Sequence, residues 1–318
     1  DSSEIVMQII KNFYDPLKYR FDSLRFFIRS NLTKNLSSKL LFKKDLTKLT
    51  EKQNEVLLSL KEKGFAKSSI DDLFGNKDEI LNRFNSILKD LKKSQEFINA
   101  YKNFSENLNI SGKHYIHRLY DNKSFKIDIN SYLISFILNE EILDIVNSYF
   151  GMYAKLNTAD LWITFLNKEK SKRTNAQNWH RDRDDVKILK IFLYLNDIDS
   201  NNGATEYIPY SRKKEKYEHL AKFSYGNIAP WKVYPRLDAD KDVDKDDIIK
   251  FIGKKGTLYF VDTTGMHRGG FSDKDNGERI FGYWSFLSPA SVLFNKNFHR
   301  PNNDDLKKLK IKQIKAIT

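Results

Sequence analysis

The stretch Trp179-His180-Arg181-Asp182 decides how the rest of this chain is interpreted. His180 and Asp182 are one residue apart at the start of a predicted strand. Because strand side chains alternate between two faces, both side chains point to the same side. Farther along, Gly265-Met266-His267 supplies a second histidine after another predicted strand and a glycine-containing turn. Imidazole nitrogens and carboxylate oxygens are metal ligands. The sequence therefore predicts one metal site made of His180, Asp182 and His267.

The composition excludes several kinds of site. The 318-residue chain has no cysteine, so disulfides and zinc–thiolate centres are excluded, and we expect a reducing location, the cytoplasm. Its 23 phenylalanines, 16 tyrosines and 4 tryptophans favour a packed core over disorder. No apolar run approaches the roughly 20 residues of a membrane-spanning helix, and we identify no secretory signal. The chain begins at Asp1 rather than Met, which is compatible with an upstream segment.

The formal net charge of +13 leaves the kind of partner open. A strongly basic protein can bind nucleic acid, a membrane surface, or a phosphorylated or acylated substrate. The lysines are scattered, however, and no basic patch is interleaved with stacking aromatic residues, so we expect no nucleic-acid partner. An anionic small-molecule substrate is compatible with this charge.

Residues 1–104 are predicted to form a helical N-terminal region. The apolar residues at positions 24, 27, 28 and 32 lie on one helical face, with arginines between them. A basic amphipathic helix of this kind either lies on a membrane surface or packs its apolar stripe against the core. We favour core packing and expect no membrane contact. A second helix is predicted to begin at Asn76, with Glu79 completing a capping box. Its apolar stripe consists of Ile80, Leu81, Phe84, Ile87, Leu88 and Leu91.

Residues 105–300 are predicted to form the main domain, and most of it is β structure. A helix over residues 131–150 ends at Gly151, and short β-rich runs separated by turn signals follow it. The predicted strands are 161–166, 188–195, 205–208, 256–261 and 279–287. Many short strands with turns between them favour a sandwich or a barrel. The long irregular segment 211–252 is predicted to be a lid, and residues 301–318 a C-terminal amphipathic tail.

The predicted ligand set indicates a particular chemistry. Two histidines and one carboxylate on one face of an octahedron leave three positions open, which is typical of non-haem Fe(II) oxygenases. A keto-acid cofactor such as 2-oxoglutarate would take two of these positions and would need a buried cation for its distal carboxylate. Arginine is the preferred partner, because its planar guanidinium pairs with a carboxylate through two hydrogen bonds. Arg279, on the predicted strand that follows His267, is the candidate.

Four motifs in this order resemble the phytanoyl-CoA dioxygenase-like family of Fe(II)/2-oxoglutarate-dependent oxygenases. They are Gln177-Asn178-Trp179-His180-Arg181-Asp182; Phe192-Leu193-Tyr194-Leu195-Asn196-Asp197; Asn201-Asn202-Gly203-Ala204 with Pro209-Tyr210-Ser211; and Gly256-Thr257-Leu258-Tyr259-Phe260 continuing through His267 to Arg279. The chain departs from the family at Pro209-Tyr210-Ser211-Arg212, where the family usually has Pro-Gly-Ser/Thr-His. The resemblance implies an α+β fold with a mainly β core, a double-stranded β-helix (jelly roll, cupin-like) with the N-terminal helical region packed outside.

The resemblance also implies roles for six residues. His180, Asp182 and His267 would hold Fe(II), and Arg279 would hold the distal carboxylate of 2-oxoglutarate. Thr164 and Phe192, on the strands before and after the ligand segment, would contact 2-oxoglutarate. The implied activity is hydroxylation of a small or carrier-linked organic substrate by dioxygen, with release of succinate and CO2. Related halogenases have a small residue in place of the carboxylate, so Asp182 favours hydroxylation.

Two other functions are compatible with these residues. The first is a catalytically inactive β-helix used as a binding module, and the second is a membrane-peripheral oxygenase that modifies the cell envelope. The basic side chains in the predicted lid favour an anionic substrate; they are Arg212, Lys213, Lys214, Lys232 and Arg236.

Several charged residues and histidines near the motifs are expected to be structural. Arg181, Arg183, Asp184 and Asp185 are expected to form a solvated ion-pair cluster in which Asp184 or Asp185 pairs with Lys190, and Arg268 to face outward. The remaining histidines are expected to be core or surface residues rather than ligands; those considered are His114, His117, His219 and His299.

Overall fold

The computed structural model describes residues 21, 24–45, 47–106, 116–118, 126–165, 175–221, 239–270, 278–294 and 296–318. Helices lie mainly before and after a β region. They are α1 (Lys34–Lys44), α2 (Glu51–Lys63), α3 (Ile70–Phe74), α4 (Lys77–Lys93), α5 (Gln95–Ser105), α6 (Tyr132–Ile137), α7 (Glu140–Phe150), α8 (Asn303–Lys307) and α9 (Ile311–Ile317). Residues 24–31 are helical as well. No described helix is both long and apolar enough to cross a membrane.

The structure confirms the two clearest helix predictions and changes their details. α4 follows Asn76 and buries five residues of the predicted stripe, but the Asn76 side chain accepts no capping hydrogen bond. The capping box stands at the start of α2 instead, where Thr50 Oγ1 accepts from Gln53 N at 3.2 Å and Gln53 Oε1 accepts from Thr50 N at 2.8 Å. The helix predicted over 131–150 is divided into α6 and α7, and Gly151 ends α7 in the left-handed conformation, with φ of 66°.

Within the described residues, nine strands form two antiparallel sheets. They are β1 (Phe65–Ser69), β2 (Ile116–Arg118), β3 (Lys155–Phe165), β4 (Ile188–Tyr194), β5 (Glu206–Tyr207), β6 (Ile249–Lys250), β7 (Thr257–Asp262), β8 (His267–Arg268) and β9 (Glu278–Leu287). The larger sheet has the order β1-β7-β4-β9-β3-β2, and the smaller one has the order β6-β5-β8. Each of the five predicted strands is present, and β3 begins six residues earlier than predicted.

The strand register divides the larger sheet into two faces. Thr164 lies opposite Arg279 in the β3–β9 pair. Lys190 and Phe192 follow the same alternation on β4, and these side chains share the inner face, which is turned toward the smaller sheet. On the outer face, Trp284 packs beneath the helices; its ring centroid lies 5.2 Å from that of Phe136, and its Nε1 donates to Leu133 O at 2.9 Å. The apolar core therefore lies mainly between this outer face and the helices.

Two expectations for the N-terminal region are wrong. Residues 65–69 are not helical but form β1, an edge strand that pairs with β7. The residues at positions 24, 27, 28 and 32 do not pack against the core; Phe27 is 59% exposed and Leu32 is 64% exposed. The boundaries that we predict for the domains stay a prediction.

The C-terminal residues dock on the helical side of the molecule. Ala316 and Ile317 of α9 are buried in the main core. Lys312 bonds Asp144 at 2.6 Å, which ties α9 to α7. The predicted C-terminal tail thus contains the two short helices α8 and α9.

Candidate metal centre

The predicted ligands come together where the backbone of residues 180–182 meets β8. His180 and His267 exchange two backbone hydrogen bonds of 3.0 Å, and Asp182 N donates to Thr263 O at 2.9 Å. On its other side, His267 pairs with Tyr207 of β5. The residues 180–182 do not open a strand as predicted. They form an extended segment that continues the smaller sheet at a single bridge.

The three side chains converge on one point. Their potential ligand atoms lie within 4.8 Å of one another. His267 Nε2 is 3.6 Å from Asp182 Oδ2, and the two imidazole centroids are 4.3 Å apart. His180 Nδ1 is 2.7 Å from Asn178 O and His267 Nδ1 is 3.0 Å from Gly265 O, so a proton on each Nδ1 is held by a carbonyl. That leaves Nε2 as the ring nitrogen of each histidine that would bind a metal, as in most histidine metal sites.

Charge and burial keep these groups in ligand form. Burial opposes the charge on Asp182, but the neighbouring Lys190 holds the pKa of this carboxyl well below its usual range. Burial lowers the pKa of His267 to about 3, so its ring is neutral at physiological pH. A neutral imidazole and an ionised carboxylate are the forms that bind a divalent metal.

Lys190 is a site residue that the sequence analysis missed. Its Nζ lies 2.5 Å from Asp182 Oδ2. The expected pairing of Lys190 with Asp184 or Asp185 is therefore wrong, and Asp185 instead accepts from Val186 N at 2.7 Å and Ser288 N at 2.6 Å. Parity along β4 is the signal that could have found it, because Lys190 is two residues before Phe192 and must share its face.

Arg279 and Thr164 lie side by side on the inner face of the larger sheet. They are register partners, and both are buried. Arg279 donates from Nη1 to Gly203 O. Thr164 Oγ1 is buried and has no hydrogen-bond partner among the described residues. A guanidinium beside a hydroxyl that can donate fits a carboxylate.

Aromatic rings fill the inner face around these polar groups. Phe192 lies between β9 residues, with ring centroids 5.6 Å from Phe281 and 5.8 Å from Tyr283. Trp162 stacks on Tyr283 at 4.5 Å. The indole Nε1 of Trp162 is also buried without a hydrogen-bond partner in the part of the chain described. The surroundings of the site are therefore apolar, with a few buried polar atoms that could meet a ligand.

Arg181 and Arg268 are buried, which contradicts both expectations for them. Arg181 donates to a group of backbone carbonyls, among them Thr264 O at 2.8 Å, Glu218 O at 3.1 Å and Ala221 O at 3.2 Å. Arg268 pairs with Glu206 and with Asp240, the latter at 2.7 Å. Its guanidinium also lies 4.2 Å from the centroid of Trp179. These arginines hold loops against the ligand segments rather than facing water.

The described ends of the predicted lid pack beside the ligands. Tyr217 and Leu220 from its first part and Val243 from its second join one apolar cluster with Trp179 and Met266. Trp179 precedes His180, and Met266 precedes His267. The middle of the predicted lid, including Lys232 and Arg236, lies outside the described residues.

At the turn where the chain departs from the family motif, the backbone keeps a conformation that suits glycine, and Arg212 has partners of its own. Tyr210 adopts a φ of 55°, a left-handed conformation that favours glycine. Arg212 donates to Leu60 O at 3.0 Å and Lys61 O at 2.7 Å, carbonyls in the last turn of α2. Arg212 also pairs with Glu215 at 2.5 Å, so its guanidinium is engaged within the protein rather than directed at a substrate.

Two antiparallel sheets bring together two imidazoles and one carboxylate that could hold a metal ion. The model of the phytanoyl-CoA dioxygenase (PhyH) family matches residues 75–274, more than half of the chain. The chain therefore belongs to this family. The matched range contains all three converging side chains and ends before Arg279.

Several solved structures are similar to this chain at low identity. AviO1 from Streptomyces viridochromogenes Tue57 is 13% identical with a TM-score of 0.48, over 78% of this chain and 100% of that one. HygX from Streptomyces hygroscopicus, with nickel, 2-oxoglutarate and hygromycin B bound, is 15% identical with a TM-score of 0.49, over 78% and 90%. SnoK, a non-heme alpha ketoglutarate dependent carbocyclase from nogalamycin biosynthesis, is 15% identical with a TM-score of 0.47, over 76% and 87%. No curated protein matches the sequence.

Proposed function

We propose that this protein is an Fe(II)/2-oxoglutarate-dependent dioxygenase that hydroxylates a small or carrier-linked organic substrate. Its two sheets would then be the halves of a double-stranded β-helix. The observation that carries the proposal is the convergence of His180, Asp182 and His267, with their potential ligand atoms within 4.8 Å. Membership of the phytanoyl-CoA dioxygenase family supports the same activity.

The donor set fits iron. Two imidazoles and one carboxylate suit Fe(II) and leave positions open for a cofactor and dioxygen. With iron, 2-oxoglutarate and dioxygen bound, the site supplies a two-electron oxidation that releases succinate and CO2. The protein's own contribution is to position these groups and to exclude water.

The ligands and the cofactor clamp come from different sheets. His267 belongs to the smaller sheet, and His180 and Asp182 extend it. Arg279 and Thr164 belong to the larger sheet. A keto acid held between the sheets would bind metal at one end and meet the guanidinium and the hydroxyl of Thr164 at the other. Phe192 would line the space between.

Loop contacts would keep the site closed to water. Arg181 stands between two ligands and donates to carbonyls of residues 217, 218 and 221 in the first part of the predicted lid. A movement of that segment would therefore shift Arg181 and, with it, the neighbouring His180 and Asp182. In the first part of the predicted lid, Lys213 and Lys214 are exposed, and their positive charge would attract an anionic substrate.

The decisive experiment is an anaerobic titration of the purified chain with Fe(II) and 2-oxoglutarate, followed by visible absorption. We expect a weak charge-transfer band that is absent from His180→Ala. His299→Ala is the matched control, because His299 is an exposed histidine remote from the ligands in sequence. Succinate release is then measured over a panel of candidate substrates.

The absence of the band in the wild-type chain would reject the proposal in favour of a binding module without metal. A band that survives His180→Ala but disappears in His299→Ala would reject the ligand assignment. Succinate formation coupled to a product that has gained no oxygen atom would reject hydroxylation in favour of another oxidation.

A further inference from the structure

The helical segment before α2 exposes an unusual amount of apolar surface. Half of the exposed large apolar side chains in the described residues belong to residues 21–41. We define the apolar ridge as Leu24, Phe27, Ile28, Leu32, Leu36 and Leu40. A shallow groove of about 550 Å³ runs along its second half, between Leu32 and Leu41. Contiguous apolar patches on a folded protein usually mark a contact with a partner or a membrane.

The orientation of α1 is imposed by buried polar contacts. Asn35 Oδ1 accepts from Ala290 N at 2.9 Å, and Ser38 Oγ donates to Tyr153 O at 3.0 Å. Both side chains are buried, whereas Leu36 and Leu40 on the same helix are 44% and 54% exposed. The helix thus buries two polar residues together with Phe42, while its leucines at positions 36 and 40 are exposed, which is unusual for a surface helix. The exposed leucines follow from the way this helix is anchored.

A basic cleft adjoins the apolar ridge. It has a volume of about 680 Å³, and its lining includes Arg29, Lys34, Lys155, Lys296, Arg300 and Lys315, which define the basic cleft. No Asp or Glu side chain is part of this lining in the described residues. The cleft and the groove share Lys34, Ser37 and Leu41, so the apolar and basic surfaces are continuous.

The cations of the cleft are close enough to repel one another. Burial, together with Lys296, Lys315 and Lys34, lowers the pKa of Lys155 to about 8. Lys155 donates to Lys315 O at 2.6 Å and Lys296 donates to Ile317 O at 3.0 Å, but these carbonyl partners carry no formal charge. Arg29 donates to Pro289 O at 2.8 Å, while its buried Nε has no hydrogen-bond partner among the residues that the structure describes. Among the described residues, the hydrogen bonds of these cations go to main-chain oxygens, including Thr318 O at 3.4 Å from Lys296 Nζ, and no Asp or Glu side chain joins them.

We propose that the apolar ridge and the basic cleft together dock the protein on the surface of an anionic phospholipid membrane. A lipid phosphate would occupy the cleft, and the leucines would enter the interface between head groups and acyl chains. This goes beyond the oxygenase activity and does not depend on it.

Charge complementarity favours this occupant over three others. Residues 24–44 contain six basic residues and no acidic one. A free phosphate compound would account for the cleft but leave the ridge exposed to water. A second copy of the chain, paired through a two-fold axis, would bring two basic clefts together. Residues 1–20 contain three basic and three acidic residues, so they offer no net charge to match the cleft. Basic amphipathic helices bind anionic lipid through apolar burial and electrostatic attraction acting together.

The test is co-sedimentation of the full chain with vesicles of phosphatidylcholine, alone or mixed with phosphatidylglycerol. We expect binding to the mixed vesicles to be roughly ten-fold stronger, and to weaken as salt is added. The ridge variant Leu36→Glu/Leu40→Glu and the cleft variant Lys34→Glu/Arg300→Glu should each reduce that binding by about ten-fold. Leu58→Glu, at an exposed leucine of α2, and Lys89→Glu, at an exposed lysine of α4, are the matched controls and should bind as the wild type does.

Each alternative occupant gives a different result that overturns the proposal. If the ridge variant binds mixed vesicles normally while glycerol phosphate alone raises the melting temperature of the wild type, the cleft serves a free phosphate ligand. If light scattering shows a wild-type dimer that the ridge variant converts to a monomer, the ridge is an interface between copies. If the ridge variant melts well below the wild type, the leucines are covered by the chain itself.

Discussion

The two faces of the six-stranded sheet are built from alternate residues of the same strands, yet they carry different chemistry. On β3, Ile163 points to the helices and Thr164 to the smaller sheet. On β4, Ile191 is fully buried in the main core, whereas Lys190 reaches Asp182. The outer face holds the molecule together through apolar packing. The inner face carries buried polar atoms, such as Thr164 Oγ1 and Trp162 Nε1, that have no hydrogen-bond partner among the described residues.

This difference separates stability from function residue by residue. An apolar side chain on the outer face stabilises the folded protein with or without a ligand, because its partners are other parts of the fold. Thr164 Oγ1, a buried polar atom of the inner face without a partner among the described residues, would gain one from a bound ligand. Changes on the outer face should therefore affect unfolding, and changes on the inner face should affect ligand binding.

The largest effect is expected for Trp284→Ala on the outer face. It removes a fully buried ring that packs on Phe84 and Phe136. The free energy of unfolding should fall by about 3–5 kcal/mol. Denaturant titration measures this loss, and the protein that remains folded should bind metal with the wild-type affinity. Weaker metal binding by the folded fraction would show that the two faces are not independent.

Lys190→Met tests the inner face beside the metal ligands. Without metal it leaves the buried Asp182 carboxylate without its ammonium partner, and the free energy of unfolding should fall by about 3 kcal/mol. A divalent metal replaces that missing charge, so the rise in melting temperature on adding Mn(II) should exceed the rise in the wild type.

Lys190→Arg retains the charge and is the control for this prediction; its response to Mn(II) should match the wild type. If Mn(II) raises the melting temperature of Lys190→Met no more than that of the wild type, Lys190 orients the Asp182 carboxylate for the metal instead of substituting for the metal's charge.

Arg279→Lys tests the proposed clamp at the other end of the inner face. A point charge replaces a planar fork, and the loss of one charge-assisted hydrogen bond is worth about 2 kcal/mol. The dissociation constant of 2-oxoglutarate should rise roughly thirty-fold. Anaerobic titration of the Fe(II)-loaded protein measures this dissociation constant. The control is Arg83→Lys, at an exposed arginine paired with Glu79, which should leave the dissociation constant unchanged. Equal affinities of Arg279→Lys and the wild type for 2-oxoglutarate would show that Arg279 does not bind this cofactor.

The smallest effect is expected for Thr164→Val. The hydroxyl has no hydrogen-bond partner among the described residues, so the free energy of unfolding should be unchanged or slightly higher. Binding of 2-oxoglutarate should weaken by about 1 kcal/mol, or roughly five-fold. The neighbouring Ile163→Val, on the opposite face of the same strand, should reverse this pattern, with a loss of about 1 kcal/mol in stability and unchanged affinity. Identical behaviour of the two variants would break the comparison between the faces.

Much of the fold follows from local patterns in the sequence. The apolar stripe of α4, the left-handed Gly151 and the five β-rich runs each reflect a short-range rule, and the structure confirms them. β1 was missed because Phe65–Ser69 has little apolar character of its own; it is a strand because β7 offers an unpaired edge. The sequence predicts that Arg268 faces outward, because a charged residue is usually exposed, but the buried Glu206 and the partly exposed Asp240 pair with it in the structure.

The sequence by itself determined the identity and order of the candidate ligands, since a His-x-Asp segment and a later histidine are visible without coordinates. It also determined which strand carries Arg279. Only the tertiary structure decided that the 180–182 segment pairs with β8, that Lys190 reaches Asp182, and that Thr164 faces Arg279. The physical reason is that register and the packing of one sheet on another depend on contacts between residues far apart in the chain, which no local pattern encodes. The same reason applies to α1, whose leucines face water because Asn35 and Ser38 find their partners in distant loops.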